Sequence, residues 1–206
     1  LTEILSDTVL PEAYPYLQDL NAQVDAYLNS DEQVLILLGP PGTGKTRLIR
    51  HILQRLANLR GLSGRNLSVC YTTDDKVLND SKLFIDFLAN ENDALVVEDL
   101  DFNLASRLDN NPFMVRLLGA SDGFLRNQGR KILISTNLAQ RGIDDALLRP
   151  GRCYAVWQTR SLSAAEATQL AHRLGAETVN VSEEMSLGAL YHHLQGRKIE
   201  PLLGYK

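Results

Sequence analysis

Two hydrophobic periods alternate along this chain. Val34 to Leu38 is an unbroken apolar run, the pattern of a strand buried on both faces. Short runs of the same character at 67–72, 94–98, 131–135 and 153–158 predict four more strands, with the first spanning 33–38. Between them apolar residues fall at helical spacing. Leu48, Ile49, Ile52, Leu53, Leu56 and Leu59 recur three or four apart, with Arg47, Arg50, Gln54 and Arg55 between them. This predicts a helix over 45–60 ending near Gly61. Further helices are predicted near 81–90, 111–126 and 144–148, and one from about Tyr16 to Leu28 leads in. Strands alternating with helices imply an α/β fold, a five-stranded parallel sheet covered on both faces.

From Ser161 the pattern changes. Leu162, Ala165, Leu170, Ala171 and Leu174, then Met185, Leu187, Leu190, Tyr191 and Leu194, predict two or three packed helices without a strand of consequence. Ser163 followed by Glu166 is a helix-start signal, with Ser163 as N-cap and Glu166 in the third helical position. The expected organisation is therefore a lead-in segment over 1–30, an α/β domain over 31–160, and a small C-terminal helical lid with its tail over 161–206.

Composition adds little to this picture. A length of 206 residues suits one α/β domain with a small appendage, and 44% hydrophobic with 22% charged residues is ordinary for a globular chain. No apolar run approaches the roughly 20 residues that span a bilayer, so no membrane segment is expected. Glu3 and Asp7 stand where a secretory signal would be basic. Cys70 and Cys153 form no CxxC pair, which fits a reducing, cytoplasmic setting. A net charge of −4 exerts no general pull on nucleic acid, although Arg and Lys cluster over 47–65 and 126–131.

The chemistry begins where the first strand ends. Gly39-Pro40-Pro41-Gly42-Thr43-Gly44-Lys45-Thr46 fits G-x-x-x-x-G-K-T, with a strand before it and a helix after it. The glycines allow a tight turn whose N–H groups converge on phosphate oxygens. Lys45 can reach the β- and γ-phosphates, the Thr46 hydroxyl can ligate Mg²⁺, and the helix N-terminus adds its positive end. Arg47 follows in the first helical turn and is grouped with the nucleotide-binding residues. The expected ligand is ATP or GTP. A second constellation ends the 94–98 strand, where Val96-Val97-Glu98-Asp99-Leu100-Asp101 places carboxylates at an apolar strand's exit. In a phosphate-loop enzyme one such carboxylate holds Mg²⁺ through water and a neighbour polarises the attacking water. A third strand, Lys131 to Thr136, runs into Asn137.

Next comes Asp144-Asp145-Ala146-Leu147-Leu148-Arg149-Pro150-Gly151-Arg152, and here the resemblance becomes specific. The chain resembles the AAA+ ATPases, and more narrowly their AAA subgroup, which carries a strand ending in T-N followed by D-x-A-L-L-R-P-G-R. Upstream, Arg116-Leu117-Leu118-Gly119-Ala120-Ser121-Asp122-Gly123 resembles the family's helix ending in L-D-G. The likeness covers roughly 33–195 and implies a P-loop NTPase sandwich with a helical lid, ATP and Mg²⁺ as ligands, and ATP hydrolysis. It also implies particular roles. Residues 39–46 become the Walker A loop, Thr46, Glu98 and Asp99 the metal side, and Asn137 the sensor that orients water. Arg149 and Arg152 become arginine fingers completing a neighbour's site, so the active unit would be a homo-oligomeric ring, usually a hexamer. Gly188-Ala189 matches the lid position where the subgroup has G-A.

The sequence also departs from that pattern. The family's usual acid pair is Asp then Glu, whereas this chain has Glu98 then Asp99. By position Glu98 takes the metal-side role and Asp99 the water-activating one, with a carboxylate about 1.3 Å short. A misplacement of about 1 Å can cost on the order of 10²-fold in rate, unless the backbone around Asp99 compensates. The link over 73–80 has no aromatic and no glycine, so it reads as a solvated turn, with Lys76, Val77 and Leu78 the residues able to face a ring's centre. His192-His193 lacks the partners of a metal site. Tyr14, Tyr16 and Tyr27 read as core rather than adenine contacts. The leading expectation is an ATPase remodelling or translocating a protein partner. The alternatives are a nucleic-acid motor or loader, suggested by Arg55, Arg60 and Arg65, and a slow nucleotide-gated assembly scaffold, suggested by Asp99.

Overall fold

The computed structural model describes residues 9–61, 67–80, 82–83, 86–87, 92–99, 111–121, 129–137 and 143–196. Five strands form one all-parallel sheet: β1 (Val34–Leu38), β2 (Val69–Thr72), β3 (Ala94–Val97), β4 (Lys131–Thr136) and β5 (Cys153–Gln158), in the order β2-β3-β4-β1-β5. Burial follows position in that order. Every residue of β1, β3 and β4 is buried, whereas the edge strands β2 and β5 are mostly half-exposed. The apolar runs thus mark the central strands most strongly, as a sheet covered on both faces requires.

Six α-helices are fully described: α1 (Leu20–Asn29), α2 (Lys45–Leu59), α3 (Asp75–Asn79), α4 (Pro112–Ser121), α5 (Ala164–Arg173) and α6 (Leu187–Leu194). On one face Leu35, Leu37, Val96 and Leu133 pack with the inner sides of α1, α2, α5 and α6. On the other, Ile36, Leu95, Val97, Ile132 and Ile134 pack with Phe113, Met114 and Leu117 of α4 and with Ile143 and Leu147. The predicted start of α5 is present as a full capping box between Ser163 and Glu166.

Lys131 ties the lead-in segment to the sheet. It is 1% exposed, and its Nζ donates to the carbonyls of Tyr27 (2.7 Å) in the last turn of α1 and of Ser30 (2.8 Å) and Glu32 (3.1 Å) beyond it. An ammonium group suits these carbonyls because it also complements the negative end of the helix. Burial nonetheless pushes its pKa down to about 8.

Several expectations need correction. The leading helix starts at Leu20, not Tyr16; a 3₁₀ turn, Pro11–Ala13, precedes it, and Asp19 caps it in a left-handed conformation. Residues 73–80 are not simply a turn, because Asp74 caps the short helix α3 and buries Leu78 in the core. Leu78 therefore cannot face a pore, whereas Lys76 and Val77 are exposed. Residues 145–147 form turns rather than a helix. Of the helix predicted over 81–90, positions 82, 83, 86 and 87 are helical and the rest lie outside the described residues. Residues 122–126, with Asp122 and Gly123, also lie outside them, as do Arg65, Leu100 and Asp101. Tyr14 and Tyr27 are fully buried in the core, as expected.

Candidate functional site

The site stands where β1, β3 and β4 end. Parallel neighbours deliver Leu38, Val97 and Thr136 to one edge of the sheet, the edge at which doubly wound folds bind ligands. Gly39 leaves β1 with almost no room beside it: a Cβ there would lie 2.2 Å from the Thr159 carbonyl oxygen. Thr159 also meets the loop through its side chain, its hydroxyl 2.7 Å from that of Thr43, and both residues are buried. Pro40, Pro41 and Gly42 carry the chain across the top of the sheet. Gly44 closes the loop at φ 92° and begins α2, a conformation only glycine adopts cheaply. Its carbonyl accepts from the Tyr14 hydroxyl at 2.9 Å, so the tyrosine acts as a buttress beneath the loop.

Lys45 is buried and points back across the loop. Its Nζ donates to Gly39 O (2.7 Å), Pro40 O (3.0 Å) and Asn137 Oδ1 (2.8 Å), bringing the Walker-type lysine and the strand-end amide into direct contact. Thr46 donates its hydroxyl to Glu98 Oε1 at 2.5 Å, and Tyr71 donates its own to Glu98 Oε2 at 3.1 Å. The Tyr71 phenol is held above its ordinary pKa, first by burial and then by the adjoining Glu98 carboxylate. Asp99 turns the chain out of β3 at φ 57°, and its amide donates to Ser135 Oγ at 3.3 Å. Aspartate tolerates this left-handed region better than most side chains. The turn replaces a continuing strand and lets Asp99 line the cavity.

That cavity measures about 650 Å³, and its walls include Gly42, Lys45, Thr46, Asp99, Ser135 and Asn137. Helix α6 contributes Leu187, Gly188 and Tyr191 to the lining, and Gln195 joins them from its C-cap. Gly188 N–H donates to Gly42 O at 2.8 Å, fastening α6 to the loop, while the amide of the exposed Ala189 donates to the capping Ser186 hydroxyl at 3.2 Å. Arg47 lies over the Tyr191 ring at 4.3 Å and joins the wall from the α2 side. Arg149 and Arg152 stand apart. Neither lines the cavity; Arg149 is exposed, and Arg152 donates from Nη1 to Ala146 O at 2.8 Å across the turn before β5.

A hydroxyl and a carboxylate 2.5 Å apart form an all-oxygen donor pair, the chemistry a hard divalent cation prefers. Sequence reasoning missed Tyr71, Ser135, Tyr191 and Gln195. Tyr191 and Gln195 follow Gly188 at helical spacing, so they share its face, a signal available once Gly188 had been singled out. Tyr71 could be placed only through the register that sets it beside Val96, two residues before Glu98.

Two arginines of the basic cluster are paired with acids. Arg55 pairs with Asp25, with Nε 2.8 Å from Oδ1, and Arg60 pairs with Asp93.

The sequence model of a family described as "ATPase family associated with various cellular activities (AAA)" matches residues 35–160. The chain is 27% identical over 165 residues to the 26S proteasome regulatory subunit 6B homolog of Aspergillus niger, covering 76% of this chain and 38% of that protein. It is 29% identical over 165 residues to the proteasome-activating nucleotidase of Methanocella arvoryzae, covering 74% and 38% respectively. Identity to the ATP-dependent zinc metalloprotease YME1L1 of Rattus norvegicus is 31% over 127 residues, covering 57% of this chain and 17% of that protein. The chain thus spans about two-fifths of the length of the first two relatives.

Proposed function

This chain belongs to the AAA family of ATPases, and from that premise we propose that it binds ATP and hydrolyses it to drive the remodelling or translocation of a protein partner. One observation carries the reading: Lys45, Thr46, Asp99 and Asn137 line one cavity at the carboxyl edge of the sheet, and Thr46 is bonded to Glu98. The loop amides over 39–46 would receive the phosphates, and Lys45 would exchange its carbonyl contacts for phosphate oxygens. Thr46 and Glu98 would hold Mg²⁺, with Asp99 on the same side; the ion's part is to neutralise charge on the β- and γ-phosphates. Asp99, assisted by Asn137, orients the attacking water for in-line displacement. Tyr191 of α6 and Gln195 at its C-cap also line the cavity and would be available to the base.

Arg149 and Arg152 lie outside the cavity of their own chain, which favours their use in trans on a neighbour's nucleotide, in a homo-oligomeric ring such as a hexamer. A guanidinium fits that task because it cannot deprotonate and spans several phosphoryl oxygens. Residues 161–196 would act as the lid, since the Gly188 to Gly42 bond links α6 to the phosphate loop and lets loop changes move it. The named relatives include proteasome regulatory ATPases and a protease, and this supports a protein as the substrate. The pairing of Arg55 and Arg60 with acids weighs against nucleic acid. Two free, distant cysteines suit a reducing compartment such as the cytoplasm.

The slow scaffold remains a second reading because Asp99 is shorter than the usual glutamate. Nucleotide binding and phosphate release, measured separately, test both. Lys45→Ala is expected to abolish binding, and Asp99→Asn to keep binding while losing turnover. Wild-type binding without phosphate release would establish the scaffold instead, and no nucleotide binding would refute both.

A further inference from the structure

We propose that Tyr71 is a positioning residue for Glu98, anchoring the carboxylate oxygen that Thr46 leaves free. The inference rests on the nucleotide-site reading above and deepens it. In the parallel register Tyr71 sits beside Val96, so Tyr71 and Glu98 share one face of the sheet. Thr46 binds Oε1 from the start of α2, and Tyr71 binds Oε2 from the edge strand. Two hydroxyls from different elements, one on each oxygen, fix both the position and the plane of the carboxylate.

This anchor answers a specific need. Glutamate has one more rotatable bond than aspartate, so at the end of β3 its carboxylate has more freedom to lose. The same added methylene carries the carboxylate outward from β3 to where an edge-strand tyrosine can meet it. Packing does not account for Tyr71, because it is 60% exposed and belongs to neither core cluster. Its hydroxyl contact does account for the side chain crossing from the edge strand toward the site. Tyr71 and Glu98 line one groove of about 350 Å³ with Ile49, Leu53, Val69 and Val96, and with Thr46 and Arg50, so the Tyr71–Glu98 bond forms beside apolar surface.

The test is the affinity of Mn²⁺ for the ADP-bound protein, read by electron paramagnetic resonance, in wild type, Tyr71→Phe, Glu98→Asp and the double variant. Tyr71→Phe should keep the native fold by circular dichroism and leave metal-free ADP affinity unchanged. It should weaken Mn²⁺ binding by about 10-fold, the scale of one hydrogen bond to a charged group. In the Glu98→Asp background the same change should have little effect, because the shorter carboxylate no longer reaches the tyrosine. Equal losses in both backgrounds, or unchanged Mn²⁺ affinity in Tyr71→Phe, would overturn the proposal while leaving the nucleotide site intact. Failure of the wild type to bind ADP and Mn²⁺ would overturn both.

Discussion

The contact between the Thr43 and Thr159 hydroxyls makes the phosphate loop depend on the strand beside it, and valine substitutions measure how much. Valine keeps the branched shape and replaces only the hydroxyl. Thr43 is 1% exposed and Thr159 3%, so water cannot substitute for a lost partner. Thr43 also donates to Pro40 O at 2.8 Å, and Thr159 Oγ1 lies 3.3 Å from Leu38 O. Neither carbonyl would be stranded, because Pro40 O still accepts from Lys45 and Leu38 O from the Thr159 amide. Thr159→Val should therefore cost about 1 to 2 kcal/mol, and Thr43→Val about 2 kcal/mol. In the double variant two methyl groups face each other and no buried hydroxyl is left half-paired. Its cost should stay near 2 kcal/mol, giving a coupling of about 1 to 2 kcal/mol. Urea unfolding of the four proteins measures the cycle. Costs that add to within about 0.3 kcal/mol would refute it, since independent sites add and partners do not.

Further expectations concern charge and the loop's support. The Arg160 guanidinium beside Glu166, aided by the Ser163 cap, holds that carboxyl down to about 2 against an ordinary 4.5. Its stabilisation is present above pH 4.5 and is lost as pH falls toward 2, so Glu166→Gln should flatten acid unfolding across that window. Lys131 has the opposite consequence. With its pKa lowered to about 8 from 10.5, the unfolded chain binds more protons between those values, and this group's contribution to stability should rise with pH there. Unfolding curves at pH 8 and 10 should show a smaller gain for Lys131→Met than for the wild type. Tyr14→Phe should cost only about 0.5 to 1 kcal/mol, because Gly44 O keeps its bond from Leu48 N, whereas Tyr14→Ala empties a buried ring site at about 3 to 5 kcal/mol. Equal costs for the two would show that the hydroxyl, not the ring, supports the loop.

What could be read from the sequence depended on the range of the interaction. The central strands were legible because burial on both faces leaves unbroken apolar runs, as at Val34–Leu38 and Ala94–Val97. The phosphate loop was legible because its constraints are local, from Gly39 to Thr46. Helix α3 was missed because five residues are too few to show a helical period; its only local signal was Asp74 as a cap. The neutralising partners of Arg55 and Arg60, Asp25 and Asp93, lie about thirty residues away in sequence, and only the fold brings them together. The same holds for Tyr71, whose distance from Glu98 is closed by strand pairing.

The central claim is that each nucleotide site is completed by Arg149 and Arg152 of another copy. ATPase rate per chain against protein concentration, for the wild type and Arg152→Ala, tests it most directly. The account predicts specific activity that rises with concentration and is lost in Arg152→Ala, while nucleotide binding persists. Activity independent of concentration and unchanged by the substitution would contradict it, placing the whole catalytic apparatus within one chain.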